Sequence, residues 1–272
     1  MTATTAVVLS GKGGTAKTLW QLTMAGEASR AGYRTLLIDI DPEQNMSYRQ
    51  GAGQHATGLG EVLNDAGIAS GEESSEKGAK RALAEIRPGG WDGVDLIPAG
   101  ASLQGFSQVA IADAYLLHDI LEDAELYERY DLILLDTGGR TGALVTQAMY
   151  AADVAYAPIA PTTDAIRKAG EAKERVRKIQ RSHQLRWAGV VLSAFDVRTG
   201  IEDAIRTEAL ETFGDEVRAE VPRRTAVNEA FQIGERLGDR SDIASRGLAG
   251  IFRAFLERDL MQRDGHPIGV LR

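Results

Sequence analysis

Six short apolar runs punctuate this chain, at residues 6–9, 35–40, 94–98, 132–135, 154–159 and 188–192. None shows the polar alternation of a strand with one wet face. Each therefore reads as a strand buried on both sides, as in a parallel sheet covered by helices. Between them lie segments 18–30, 107–128, 164–181 and 201–213, long enough for crossover helices. Strand alternating with helix predicts an α/β fold built on a doubly wound, mostly parallel sheet. Residues 67–80 break the rhythm: they are rich in Gly, Ser and Glu and poor in large apolar residues, which predicts a solvated excursion. No fixed-period repeat and no linker between two cores is visible, so 1–272 is expected to form one domain.

Composition removes several chemistries. There are no cysteines, which excludes thiol nucleophiles, disulfides, iron–sulfur clusters and thiolate zinc sites. The four histidines, His55, His118, His183 and His266, have no metal-ligand spacing. A net charge of −8 gives the chain no overall basic footprint, so contact with nucleic acid must come from a local patch. Residues 1–5 carry no basic leader, and no run reaches the roughly 18 apolar residues that a membrane span needs. The expected compartment is the cytoplasm.

The first run ends in Ser10-Gly11-Lys12-Gly13-Gly14-Thr15-Ala16-Lys17-Thr18, and a helix-compatible segment follows at once. Strand, Gly-rich loop, Lys-Thr and helix is a layout that cradles phosphates: glycines let backbone N–H groups turn inward, and the helix start adds partial positive charge. Lys17 would reach the β- and γ-phosphates, and the Thr18 hydroxyl would ligate Mg²⁺. An ordinary strand-to-helix turn would explain the glycines but not Lys-Thr. The usual pattern has Gly just before that lysine; here it is Ala16, whose methyl is accommodated at negative φ. Asp39 and Asp41 stand at alternate positions at the end of the second run, and Asp136 ends the fourth. A single acid at a sheet rim is commonly a cap or a turn residue. Three beside such a loop repel one another and call for a cation.

On Lys12, Lys17 and Thr18, with Ile38-Asp39-Ile40-Asp41-Pro42-Glu43-Gln44-Asn45 and Tyr130-Asp131 through Asp136, the chain resembles the ParA/MinD deviant Walker A ATPases, and within them the ParA-type partition ATPases. The match continues through Phe195-Asp196-Val197-Arg198-Thr199, Val221-Pro222-Arg223 and residues 242–247. The resemblance implies ATP and Mg²⁺ as cofactors, with Gly11 to Thr18 around the phosphates and Pro222 near the base. It further implies that Asp39 and Asp136 hold Mg²⁺ directly or through water, and that Asp41 positions the attacking water. Lys12 would reach across a nucleotide-sandwich homodimer to the partner's phosphates. Non-specific DNA and a ParB-like adaptor are the implied partners, with nucleoid association and no stable membrane association. Family members usually have Asp-x-Pro-Pro where this chain has Asp136-Thr137-Gly138-Gly139, which predicts a more flexible loop. A MinD-like or other cargo-positioning ATPase is the alternative reading.

Two basic clusters are candidate DNA surfaces. Residues 166–186 hold eight basic side chains against Glu171 and Glu174, a pattern that a solvated helix face explains as well. Arg198, Arg223 and Arg224 lie in segments resembling the family's DNA surface, with Arg218 added from the same cluster. With the first strand at residues 6–9, no N-terminal DNA-reading domain is expected. Finally, Leu248, Ile251, Phe252, Phe255, Leu256 and Leu260 form a stripe of helical period, read as core cover in preference to a membrane-surface helix.

Overall fold

The computed structural model describes residues 2–10, 16–53, 56–68, 72–106, 113–139, 142–263 and 266–267. In chain order the elements are β1 (Thr4–Val8), α1 (Lys17–Arg30), β2 (Thr35–Asp39), α2 (Asn45–Arg49), α3 (Leu59–Ile68), α4 (Glu72–Glu85), β3 (Arg87–Pro88) and β4 (Val94–Ile97). Then follow α5 (Leu103–Phe106), α6 (Leu116–Asp123), α7 (Leu126–Arg129), β5 (Leu132–Asp136), α8 (Ala143–Tyr150), β6 (Val154–Ile159) and α9 (Ala165–Ile179). The chain continues through β7 (Arg186–Phe195), α10 (Gly200–Phe213), β8 (Val217–Pro222), α11 (Thr225–Ile233) and α12 (Ile243–Phe255). Eight strands form one sheet in the order β3-β4-β2-β5-β1-β6-β7-β8, and only the β3–β4 pairing is antiparallel.

All six apolar runs are strands of this sheet, and the central ones are buried along their whole length. Edge strand β8 has no such run because its residues are half-exposed, with Arg218 and Glu220 among them. One apolar layer lies between the sheet and α3–α10, and a second lies under α1, α11 and α12. In that second layer Trp20 stacks on Phe252 at 4.5 Å between ring centroids and on Phe255 at 5.6 Å. The C-terminal stripe is thus core cover: Leu248, Phe252, Phe255, Leu256 and Leu260 are all buried. Among the described residues no helix is long and apolar enough to cross a membrane.

The expected excursion at 67–80 is corrected. Residues 72–80 belong to helix α4, and 67–68 close helix α3, with 69–71 outside the described residues. The physical reason is close packing by small residues. Ala79 and Ala82 are buried, and a Cβ added at Gly78 would come within 2.7 Å of the Ile120 side chain on α6. Helices this close need small residues, and small residues leave little apolar signal in a sequence. Of the expected 107–128 crossover, residues 107–112 lie outside the described residues, and the rest holds two helices, α6 and α7, separated at Glu125, which has φ 53°.

Because Trp20 on α1 and Phe252 on α12 share one buried stack, Phe252→Ala should cost about 3–5 kcal/mol of folding stability. Urea unfolding measures it, and a loss below about 1 kcal/mol would show that the stack is not a main tie between these helices.

Candidate nucleotide and metal site

The site lies at the carboxyl edge of the sheet, where ligands of open α/β folds bind. Parallel register places Val8, Asp39 and Asp136 side by side on β1, β2 and β5. Gly11, Lys12, Gly13, Gly14 and Thr15 lie outside the described residues. Ala16 precedes α1 with φ 63° and ψ 20°, so the negative φ expected of it is corrected. A methyl in the left-handed region costs about 1–2 kcal/mol, a strain the loop carries in the position where glycine is usual.

Lys17 follows, buried, with Nζ 3.3 Å from Ser10 Oγ. Burial lowers its pKa, while the charges of Asp136, Asp41 and Glu43 act the other way. Thr18 donates its hydroxyl to Asp136 Oδ2 at 2.6 Å. The other oxygen, Asp136 Oδ1, is buried and has no hydrogen-bond partner among the described residues. A hydroxyl and a carboxylate with an unmatched oxygen are hard donors, and they fit Mg²⁺.

Asp39 is differently employed. Its Oδ2 accepts from Ser47 N at 2.8 Å and Ser47 Oγ at 2.6 Å, and its Oδ1 accepts from Asp41 N at 3.0 Å. Ser47 Oγ in turn accepts from Ala99 N at 2.9 Å. Asp39 therefore anchors α2 and the end of β4, in addition to standing beside Asp136. Nothing in the residue spacing pointed to Ser47. Burial first, then the neighbouring Asp136, pushes Asp39 up to about 7, with the Ser47 bonds opposing. Burial also pushes Asp136 up to about 6, against the pull of Thr18 and Lys17.

From this end a cleft of about 510 Å³ runs along the edge of the sheet. Lys17, Thr18, Asp41, Glu43 and Gly138 line one end; Ser193, Ala194, Val221, Pro222 and Arg224 line the other. Asn45, Arg49, Val227, Asn228, Phe231 and Gln232 complete the walls. The guanidinium of Arg49 sits 3.8 Å from the Phe231 ring centroid, and it donates to Phe231 O at 3.2 Å, closing α2 against α11. Asn45 closes the motif that contains Asp39 and Asp41, whereas Arg49, Val227, Asn228, Phe231 and Gln232 were not anticipated, because they lie one or two helical turns beyond the motifs. Of the four non-glycine residues at positive φ among the described residues, Ala16 and Ala194 line the cleft and Gln44 lies between the lining residues Glu43 and Asn45.

The candidate DNA residues divide. Arg224 lines the cleft. Arg198 is 84% exposed at the side chain, which donates to Asp196 at 2.9 and 2.7 Å, and its backbone N–H donates to the same carboxylate at 3.1 Å; these bonds hold that carboxyl well below its usual range. Arg223 pairs with Glu202 at 2.8 Å. On α9, Arg167 and Lys168 pair with Glu171, Arg177 with Glu174, and Lys173 with Glu216.

Residues 6–237 match the family described as the CobQ/CobB/MinD/ParA nucleotide binding domain. The chain is 30% identical over 234 residues to the chromosome partitioning protein ParA of Caulobacter vibrioides, covering 82% of each chain. Its fold is similar to that of a McdA–ATP complex from Cyanothece, with TM-score 0.77 at 17% identity over 94% of this chain and 95% of that one. It is similar also to the septum site-determining protein MinD of Pyrococcus horikoshii complexed with Mg-ADP, with TM-score 0.71 at 20% identity over 94% and 95%.

Two buried acids with raised pKa values bind more protons folded than unfolded. They therefore cost stability as pH rises from the ordinary carboxylate range near 4 through about 6 to 7. Asp136→Asn removes one of the pair, and Lys17 keeps Asp41 and Glu43 as counter-charges. The ligand-free variant should gain about 1–3 kcal/mol over the parent at pH 8, with little gain at pH 4. Chemical denaturation at the two pH values measures this, and an equal or reversed difference would refute it.

Proposed function

Because the chain belongs to the CobQ/CobB/MinD/ParA nucleotide-binding family, we propose that it is a ParA-type partition ATPase. In this reading it binds ATP with Mg²⁺, closes as a nucleotide-sandwich dimer, coats DNA without sequence preference and is released on hydrolysis stimulated by a ParB-like adaptor. The observation that carries the reading is the Thr18–Asp136 pair with its unmatched buried oxygen, beside buried Lys17, at one end of a cleft large enough for a nucleotide.

Phosphoryl transfer asks a protein chiefly for charge neutralisation and an aligned nucleophile. Lys17, held in a dry site, supplies a positive charge for the β- and γ-phosphates. Thr18 and Asp136 would hold Mg²⁺, which when bound neutralises phosphate charge. Asp39 keeps α2 in place through Ser47 and, next to Asp136, adds negative charge for the same ion. Asp41 accepts a hydrogen bond from the attacking water and orients it. Lys12 would supply its charge to the partner's phosphates. Pro222, with Val221, Val227 and Phe231, offers apolar surface for the base, and Arg224 a cation at that end. The burial of the α12 stripe favours this reading over a membrane-surface ATPase, and the cargo-positioning alternative differs only in what the dimer carries.

Size-exclusion chromatography with light scattering, run without nucleotide, with ADP and with Mg-ATP, tests the switch. Lys17→Ala should lose nucleotide binding, Lys12→Ala should bind but stay monomeric, and Asp41→Ala should accumulate an ATP-bound dimer. A wild-type chain that stays monomeric in saturating Mg-ATP, even with Asp41→Ala, would overturn the proposal.

For the DNA surface, Arg198→Ala and Arg223→Ala should each weaken binding to unrelated sequences alike, and should each flatten the salt slope by about one unit. Gel shifts at two salt concentrations read this out. Unchanged affinity in both variants would remove these arginines from the DNA surface.

A further inference from the structure

The loop after β5 does more than connect. Gly138 has φ +62°, and a Cβ built on it would lie 2.3 Å from Asp41 Cγ and 2.5 Å from each of the Asp41 carboxylate oxygens. The carboxyl group therefore lies face-on against the bare Cα of Gly138. Asp41 is also held through its backbone and one oxygen: its N–H donates to Asp39 Oδ1 at 3.0 Å, its Oδ1 accepts from Glu43 N at 3.1 Å, and its carbonyl accepts from Gln44 N at 2.8 Å. The loop itself is pinned to β1 by Thr137 Oγ1, which donates to Val8 O at 2.7 Å.

We propose that Gly138 is a positioning residue for the Asp41 carboxylate, giving it the one place from which it orients the attacking water. The inference rests on the ATPase reading above and deepens it. No side chain fits at 138 unless the carboxylate moves: ordinary contact with a Cβ begins near 3.4 Å, so Asp41 would retreat by about 1 Å, a displacement that costs on the order of a hundredfold in rate when it misaligns a reacting group. Proline is incompatible too, because its φ is locked near −65°. The glycine in this loop is therefore a fixed part of the site's geometry, in place of the flexible hinge its sequence suggests.

The test uses the full chain with Gly138→Ala and Gly138→Asn, each alone and combined with Asp41→Ala. Asparagine tolerates the left-handed region, so Gly138→Asn keeps the backbone while adding a Cβ. Expected for both single variants is a kcat at saturating Mg-ATP lower by roughly a hundredfold, with affinity for a non-hydrolysable ATP analogue changed by less than about threefold. The Tm loss caused by Gly138→Ala should shrink in the Asp41→Ala background, where the atoms it meets are gone; a merely structural role would give the same loss in both. Wild-type kcat in Gly138→Asn, analogue binding lost in step with kcat, or equal Tm losses in the two backgrounds would each overturn the inference. A wild-type chain with no ATP turnover, alone or with DNA, would instead overturn the ATPase reading, and the inference with it.

Discussion

Two carboxylates buried in register on adjacent strands, Asp39 on β2 and Asp136 on β5, set the terms for the rest of this molecule. Like charges that close and that dry are unfavourable, and each is met by a different device. Asp39 takes three hydrogen bonds, from Ser47 and the Asp41 backbone, and thereby pulls α2 onto the sheet edge. Asp136 takes the Thr18 hydroxyl and the field of Lys17, and thereby ties α1 to the same edge. The helix that follows the Gly-rich segment and the helix that walls the cleft are thus held from one pair of acids.

The same pair gives one end of the cleft its acidic character. Among the described residues there, Asp41, Glu43 and Asp136 stand around Lys17, and the oxygen donors of Thr18 and Asp136 are of the kind that Mg²⁺ takes. At the far end the charged lining residue is Arg224, alongside the apolar side chains of Val221 and Pro222, while Arg49 and the Phe231 ring belong to the walls. Backbone strain at Ala16, Gln44 and Ala194 around this cleft is the pattern expected where geometry is held for function and not for stability.

Charge count was a poor guide to where the cations are usable. The α9 cluster reads as strongly basic, yet Arg167, Lys168, Lys173 and Arg177 all have acidic partners, two of them supplied by helix spacing and one, Glu216, by the turn that precedes β8. Arg198 and Arg223 are likewise paired, with Asp196 and Glu202, so DNA phosphates would have to compete with those carboxylates. Such exposed pairs are weak and exchange readily. Arg224, next in sequence to Arg223, lines the cleft instead, because β8 ends there and α11 begins.

The residue pattern by itself determined that the fold is a mostly parallel sheet, which segments form its buried strands and which acids stand at its rim, because a strand covered on both faces must be apolar throughout and ends where polarity returns; the order of the strands came from the structure. It also determined the Lys-Thr helix start, a local signal readable from a few adjacent residues. Only the tertiary structure decided that α4 is a helix packed through Gly78, that Ser47 serves Asp39, that α11 forms a wall, and that Gly138 lies under Asp41. Each of those depends on residues far apart in the chain meeting at close range. Small side chains and single hydroxyls carry no period, so their meaning exists only once the partners are in place.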